Sequence, residues 1–463
     1  MLMHEPSCVE VNLSAIDHNM AVIRRVVGDG CALCPIVKAD AYGLGAARVA
    51  RRLAAAGASM IAVYSLPQAA EIGRADAPAD GGGDHAGLSS QPASIPVLVL
   101  MPIADIRPGD ETSRMLVSGR LHLTVHDLQQ LDALDQLAEQ YRTTVPVHVE
   151  VDTGMSRGGA RPDDALKLLE RIAANPRFAL KGVFTHFTNS RVDRAATDAQ
   201  LALFDGLLER AKAWIPEDAS IHVASTYALF RHHRYHRSMV RFGLAWAGFG
   251  LEELEGCELD LGEHVLRPCL RWRSRVVQVK RIPAGTSVGY GSRWTATRPS
   301  MIGLVPIGYA DGFPVHRPDP NAAEPAAPQR IAVLRSTHPG HQRGSRTEFP
   351  RGFVREFVPV IGTVNMDQIT VDLTDVDLLS QPDGGIGMVV EIVSPDPQAP
   401  NHLPRLASRS GMIPHEMLCR IHSRIPRVYT VDGALDEHLD DSRSAHVVET
   451  TAAAGIDRRA AVG

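Results

Sequence analysis

The chain reads as an α/β protein: an N-terminal (β/α)8 TIM-like barrel over residues 13–250, then a mainly β C-terminal domain over residues 251–431. Three observations predict this. Helix-period segments and short apolar runs alternate through the first half, as successive βα units require. No Gly-x-Gly-x-x-Gly follows the first strand, which argues against two packed dinucleotide-binding halves. From Leu251 to Gly262 the sequence turns acidic and Gly-bearing, and beyond it strand-like segments follow one another with few helices between. Residues 1–12 are a lead-in expected to add a strand to the C-terminal domain. Residues 432–463 are a tail with little apolar periodicity, expected to be partly disordered.

Taken in order, Ile16, Met20, Ile23 and Val27 recur at helical spacing behind Ser14, a predicted N-cap. Cys34–Val37 is a buried strand, Gly45–Leu53 a helix with Val49 and Leu53 four apart, and Met60–Val63 the next strand. Further strands are expected at Ile95–Leu100, His148–Val151, Gly182–Phe184, Ile221–Ala224 and Phe242–Trp246, with a helix over Leu201–Trp214. In the second half they fall at Leu270–Val279, Met301–Ile307, Arg330–Leu334, Phe353–Val360, Gln368–Val371 and Met388–Val393. Asp76–Ala93 and Pro318–Gly352 look like surface insertions.

Composition excludes several function classes. The 463 residues carry 48 Lys+Arg against 53 Asp+Glu, a formal charge of −5, without the basic excess that phosphate-backbone binding needs. No apolar run reaches the length of a membrane span. Met1–Asn12 has early acidic residues and no apolar core of a signal peptide, so a cytoplasmic enzyme is expected. Six cysteines in so long a chain are no disulfide framework. Cys31 and Cys34 form a lone C-x-x-C with no second pair, which reads as structural thiols and not as a metal or redox site. His232, His233 and His236 sit in an Arg-rich stretch read as a solvated basic turn. His415-Glu416 lacks the second histidine of a zinc helix. No metal site is expected.

Lys38 closes the first barrel strand, and side chains at that end of a barrel face the active site. From position alone, a lysine snorkelling at a strand end and a desolvated nucleophile able to form a Schiff base are equally compatible. The surrounding segment separates them. Val37-Lys-Ala-Asp-Ala-Tyr-Gly-Leu-Gly45 resembles the pyridoxal-phosphate lysine motif of alanine racemases. In the same order follow Val151-Asp-Thr-Gly-Met-Ser-Arg157, Thr185-His-Phe187, His222-Val-Ala-Ser-Thr226 and Met239-Val-Arg-Phe-Gly-Leu244. Val288-Gly-Tyr-Gly291, Gly308-Tyr-Ala-Asp-Gly312 and Asn365-Met-Asp-Gln368 complete a set that spans Glu10 to Tyr429.

The resemblance implies a racemase using pyridoxal 5'-phosphate, which acidifies the substrate Cα–H by taking up carbanion charge. Inversion needs proton removal from one face and return on the other, so two groups on opposite faces are the simplest solution. The family assigns these to Lys38, serving the D-enantiomer, and Tyr290, serving the L-enantiomer and reaching the site from the partner in a head-to-tail homodimer. By the same resemblance Arg241 faces the pyridine nitrogen, His222 orients it, and His186 packs on the ring. Tyr42, Thr226, the backbone of Gly243 and Leu244, and His415 meet the phosphate. Arg157 and the backbone of Met366 bind the substrate carboxylate, Tyr309 lines the entrance, and Asp367 is a supporting residue. Alanine is the implied substrate, with D-alanine feeding peptidoglycan synthesis. A racemase for serine or a broader amino-acid set, a decarboxylase on the same scaffold and a non-catalytic pyridoxal-phosphate carrier are the alternatives.

Four positions depart from the family pattern. Glu150 stands where many members carry a lysine, often carbamylated, and is expected to orient Arg157 as an unmodified anion. His415 replaces a tyrosine, and Ser225 and Asn365 occupy family Asn and frequently Cys positions. These changes bear on substrate choice, because pocket shape separates a methylene or hydroxyl by only ~1–3 kcal/mol.

Overall fold

The computed structural model describes residues 6–75, 95–252, 254, 259, 265–315, 328–336, 353–379, 381–432 and 434–435. The insertion read at Asp76–Ala93, much of that at Pro318–Gly352, and the tail beyond residue 435 lie outside the described residues.

After an initial strand β1 (Cys8–Asn12), the barrel strands are β2 (Ala32–Pro35), β3 (Ile61–Val63), β4 (Val97–Val99), β5 (Leu121–Val125), β6 (Val145–Glu150), β7 (Phe178–Phe184), β8 (Ser220–His222) and β9 (Met239–Phe242). β3 to β8 form one parallel sheet in chain order, and β2 pairs with β9 in parallel. Backbone hydrogen bonds close both seams. Val37 donates to Ala62 at 2.9 Å beside β3, and Ser238 and Arg241 each donate across to the β8 side at 3.1 Å. Eight parallel strands thus form the ring that the βα alternation predicts. β5 escapes the sequence reading because His122 and Thr124 interrupt its apolar run, yet both side chains are buried in the ring.

The first helix, Leu13–Val27, is capped by Asn12 and not by Ser14: the Asn12 side chain accepts the Ala15 N–H at 3.1 Å. Ser14 instead donates to Asp432 at 2.9 Å and accepts the Asp432 N–H.

The second half supplies β10 (Leu270–Arg275), β11 (Gln278–Ile282), β12 (Ser287–Val288), β13 (Trp294–Thr295), β14 (Ser300–Val305), β15 (Arg330–Ser336), β16 (Phe353–Ile361), β17 (Ile369–Asp372), β18 (Val389–Val393), β19 (Arg427–Val431) and β20 (Ala434–Leu435). Ten strands make one sheet in the order β11-β14-β17-β16-β15-β18-β10-β1-β19-β20, with β1 between β10 and β19. β15 corrects the surface-insertion expectation. It lies inside the Pro318–Gly352 stretch but pairs with β16 and β18, and Ile331 and Val333 are fully buried. The basic turn is likewise only half solvated: Tyr235 and His236 are buried, and the His236 ring meets the Leu229 carbonyl at 2.8 Å. Burial pushes the thiols of Cys31 and Cys34 up, to about 11 and about 12. Neither is a ready thiolate at neutral pH.

Candidate active site

Lys38 leaves β2 into a left-handed turn. Ala39, Asp40, Ala41 and Tyr42 have φ of 53°, 56°, 52° and 58°, although none is glycine. Such a turn costs roughly 1–2 kcal/mol per residue and persists only when its surroundings over-determine it. Asp40 accepts the Ala46 N–H at 2.6 Å and so tethers the turn to the next helix, Ala46–Ala55. From β19, Arg427 donates to the Gly43 carbonyl at 2.8 Å and the Tyr429 hydroxyl donates to Leu44 at 3.0 Å. Gly45, at φ 93°, lies where a Cβ would overlap that hydroxyl. The C-terminal domain therefore clamps the loop that presents the lysine. Lys38 as a residue is exposed at the barrel mouth, but partial burial of its ammonium, then the Arg157 guanidinium, push its pKa down. Both effects favour the neutral amine.

Across the mouth, Arg241 is buried, and burial pushes its guanidinium down to about 10, so it stays charged at neutral pH. Nη1 donates to His222 Nδ1 at 2.7 Å and to the His222 carbonyl at 2.9 Å, while Nη2 donates to the Thr185 carbonyl at 2.8 Å. His186 lies 3.5 Å from Nη2, and burial, then Arg241 and Arg157, push its pKa down to about 3. His186, His222 and Arg241 thus come together.

Tyr42, buried, stacks on Trp246 at 5.8 Å and meets His415 edge-on at 5.7 Å. Burial, then the Lys38 ammonium, push His415 down to about 4, so its ring is neutral at pH 7 and carries one N–H donor. Gly243 sits against the Tyr42 hydroxyl, where a Cβ would overlap it. Thr226 Oγ1 accepts the Gly243 N–H at 3.1 Å, so in this state that N–H is engaged and the threonine hydroxyl hydrogen is the free donor. Leu244 is buried beside them. These donors, with Lys38 and Arg241, fit a phosphorylated pyridine aldehyde: the Gly243 cradle is the size of a missing side chain and its rim carries hydroxyls. Gly243→Ala is expected to displace Tyr42 and weaken pyridoxal phosphate binding by roughly 10- to 100-fold, an overpacking cost of ~1–3 kcal/mol. Equilibrium dialysis of the two forms checks this.

In the single chain Glu150 faces a histidine. Its carboxylate lies 3.4 Å from His126 Nδ1, and the Gly158–Gly159 backbone folds over it. Arg157, exposed in the single chain, makes no ion pair with it at this range. The loop turns back because Ala160 N–H donates to the Glu150 carbonyl and Gly159 N–H donates to His126 Nδ1, each at 2.8 Å.

Tyr290, Tyr309 and Met366 gather on the β domain through the 362–368 loop. Thr363 donates its hydroxyl to the Tyr290 carbonyl at 2.7 Å, and Tyr309 and Ala310 donate to the carbonyls of Asn365 and Met366, each at 3.0 Å. Asp367 braces the loop by accepting from Arg424 at 2.9 Å. The three side chains are 77%, 48% and 54% exposed, so the chain's own barrel does not cover them. The structure does not bring Tyr290 to Lys38 within one chain.

Sequence reasoning missed Trp246, Arg427 and Tyr429 as supports of the site, and His122 and His148 behind Arg241. A histidine in an otherwise apolar strand was the available signal for the last two.

The neutral-ring histidines, His415 among them, give a pH prediction. His122 is pushed down to about 4 by burial, then Lys181, and His148 and His222 lie well below the ordinary value, burial again leading. With His186, they bind protons in the unfolded chain near pH 6.5 but not in the folded one. Stability is therefore full above about pH 6.5 and falls as pH drops toward 4, by up to ~1.4 kcal/mol per pH unit for each ring. Thermal midpoints from pH 7.5 to 4.5 measure the slope.

Fold and site together define a barrel-plus-β-domain enzyme built round a lysine amine at the end of the first barrel strand. Residues 11–250 match the alanine racemase N-terminal domain and residues 269–429 the alanine racemase C-terminal domain. An alanine racemase of Desulfovibrio desulfuricans is 32% identical over 426 residues, covering 92% of this chain and 98% of the relative. The solved alanine racemase of Clostridium difficile has a TM-score of 0.72 at 25% identity, covering 94% of this chain and 98% of that one. In fold alone, a Bartonella henselae alanine racemase with covalently bound pyridoxal phosphate is similar at TM-score 0.66 and 23% identity, covering 92% and 100%. The chain belongs to the alanine racemase family. It is a racemase, an isomerase of the pyridoxal-phosphate-dependent class.

Proposed function

We propose that this chain interconverts L- and D-alanine with pyridoxal 5'-phosphate, as a cytoplasmic head-to-tail homodimer in which Tyr290 of one copy serves the Lys38 site of the other. The observation that carries the proposal is the convergence of Lys38, Arg157, His186 and Arg241 at one barrel mouth beside the Tyr42–Gly243 cradle. Two guanidinium cations, an amine and hydroxyl donors suit a phosphate and a carboxylate together.

Lys38, Tyr42, Thr226, Leu244, His415 and Arg241 would hold the cofactor, which when bound supplies an electron sink that acidifies the substrate Cα–H. Lys38 Nζ, kept basic in its neutral form, moves the proton on one face of Cα. The Tyr290 hydroxyl of the second copy moves it on the other. Arg157 would orient the substrate carboxylate, and Arg241, a permanent donor, would face the pyridine nitrogen without giving up its own proton. The exposed cluster of Tyr290, Tyr309 and Met366 supports the dimer, since contiguous exposed apolar side chains mark surfaces that a partner covers. Among the described residues no helix is long and apolar enough to cross a membrane.

The test is solvent deuterium entry at Cα, with L-alanine, D-alanine and L-serine offered separately in D2O. Alanine is expected to exchange fastest and to invert, and a visible absorbance band, bleached by borohydride, is expected to be absent in Lys38→Ala. A band without Cα exchange would reduce the chain to a carrier. Serine exchanging faster than alanine would move the substrate assignment.

A further inference from the structure

Barrel interiors are filled chiefly by branched apolar side chains, yet this one contains a line of three histidines. His222 Nε2 lies 3.1 Å from His148 Nδ1, and His148 Nε2 lies 3.0 Å from His122 Nδ1. His148 and His222 are fully buried and His122 is 6% exposed. They come from β8, β6 and β5, so the line crosses the ring toward its opposite end, where the Gly119 backbone hydrogen-bonds His122. Gly182 on β7 leaves the room: a Cβ there would overlap His148 Nδ1 and sit 2.9 Å from His222 Nε2. Phe184 backs the near end, stacked on His222 at 4.7 Å with the Arg241 guanidinium 4.8 Å from its ring centre.

The direction of every hydrogen bond in this line is fixed by its first member. A guanidinium only donates, so His222 Nδ1 must accept. A neutral His222 then carries its proton on Nε2 and donates to His148 Nδ1. His148 in turn carries Nε2–H and donates to His122 Nδ1, which leaves the His122 proton on Nε2, at the Gly119 end of the line. Were His222 to take the other tautomer, two donors would face each other across 2.7 Å at Arg241. A buried polar line is tolerable only when every member is satisfied, and here one proton arrangement alone satisfies all of them.

We propose that His148 and His122 are positioning residues: they lock the tautomer of His222, and through it the orientation of the Arg241 guanidinium at the cofactor ring. Its catalytic consequence rests on the racemase reading above; the tautomer lock does not.

The experiment uses the full chain with ring-15N-labelled histidines, assigned by single replacements, in two-bond 1H–15N correlation spectra. His222, His148 and His122 are expected as pure Nε2–H rings that do not titrate between pH 8 and 6.5. In His148→Leu the His222 ring is expected to become a tautomer mixture, and kcat for alanine to fall roughly 10-fold, the scale seen when an outer partner of a site ligand is lost, with KM changed by no more than about twofold. His148→Gln, whose carbonyl accepts from His222 and whose amide donates to His122, is expected to restore both. A wild-type His222 in the Nδ1–H form, a His148→Leu chain with His222 still pure, or a Gln variant behaving like Leu would each overturn the proposal. Should the Leu variant not fold, the wild-type tautomers and the Gln variant decide. The spectra need neither substrate nor turnover, so a chain with the tautomers in place but no Cα exchange would refute the racemase reading and leave the lock standing.

Discussion

Tyr290→Phe is expected to lower racemisation by ~10²–10⁴-fold, the range by which a positioned acid–base group speeds proton transfer. The loss should be one-sided. Lys38 is untouched, so D-alanine should still exchange its Cα proton with solvent, while L-alanine should exchange scarcely at all. The KM values should change little, because the phenol bonds the proton in flight and not the carboxylate that anchors the substrate. A general loss of structure would look different. Tyr290 is 77% exposed and its backbone carbonyl is held by the Thr363 hydroxyl, so removing the phenol hydroxyl should leave stability within ~0.5 kcal/mol. Deuterium exchange measured separately from each enantiomer, beside a thermal melt, reads all of this. Equal loss of exchange from both enantiomers would remove Tyr290 from its assigned face.

The parts of this protein that local pattern controls were legible in its sequence. Apolar runs of strand length separated by helical spacing produced the ring, and the shift to consecutive strands produced the second domain. What local pattern does not control was not legible. The left-handed turn at Ala39–Tyr42 contradicts the preferences of its own residues, and Arg427 and Tyr429, which hold it, arrive from the far end of the chain. β5 was hidden because buried polar residues inside a barrel look like exposed ones until their partners are known. β15 was read as a strand and also assigned to an insertion, since flanking Pro and Arg residues masked a central position in the sheet. At the site, residue types identified Lys38, His186, His222 and Arg241 through their motifs, and the structure groups them. At Glu150 the single chain shows a neighbour that residue types did not point to. Charge complementarity favoured Arg157, but the turn through Gly158 and Gly159 folds back over the carboxylate, and His126, just past β5, is its neighbour in the single chain.

Lys38→Ala is expected to reduce turnover by at least ~10⁴-fold, since it removes both the amine nucleophile and one of the two proton carriers. Mixing this variant with Tyr290→Phe tests the shared site. Each homodimer of a single variant has the same lesion in both of its sites. In a mixed dimer with exchanged tyrosines, one site collects both lesions and the other has neither. Random reassortment makes half the dimers mixed, each with one working site, so about one quarter of wild-type activity should return. If each site were built from one chain alone, every site in the mixture would keep a lesion and activity would stay at the level of the parents. The exposed Tyr290–Tyr309–Met366 face supports the first outcome, because a phenol left in water on its own chain has no substrate within reach. Activity measured after unfolding and refolding the two variants together, against each refolded alone, distinguishes them, and the restored fraction should scale with the product of the two variants' mole fractions.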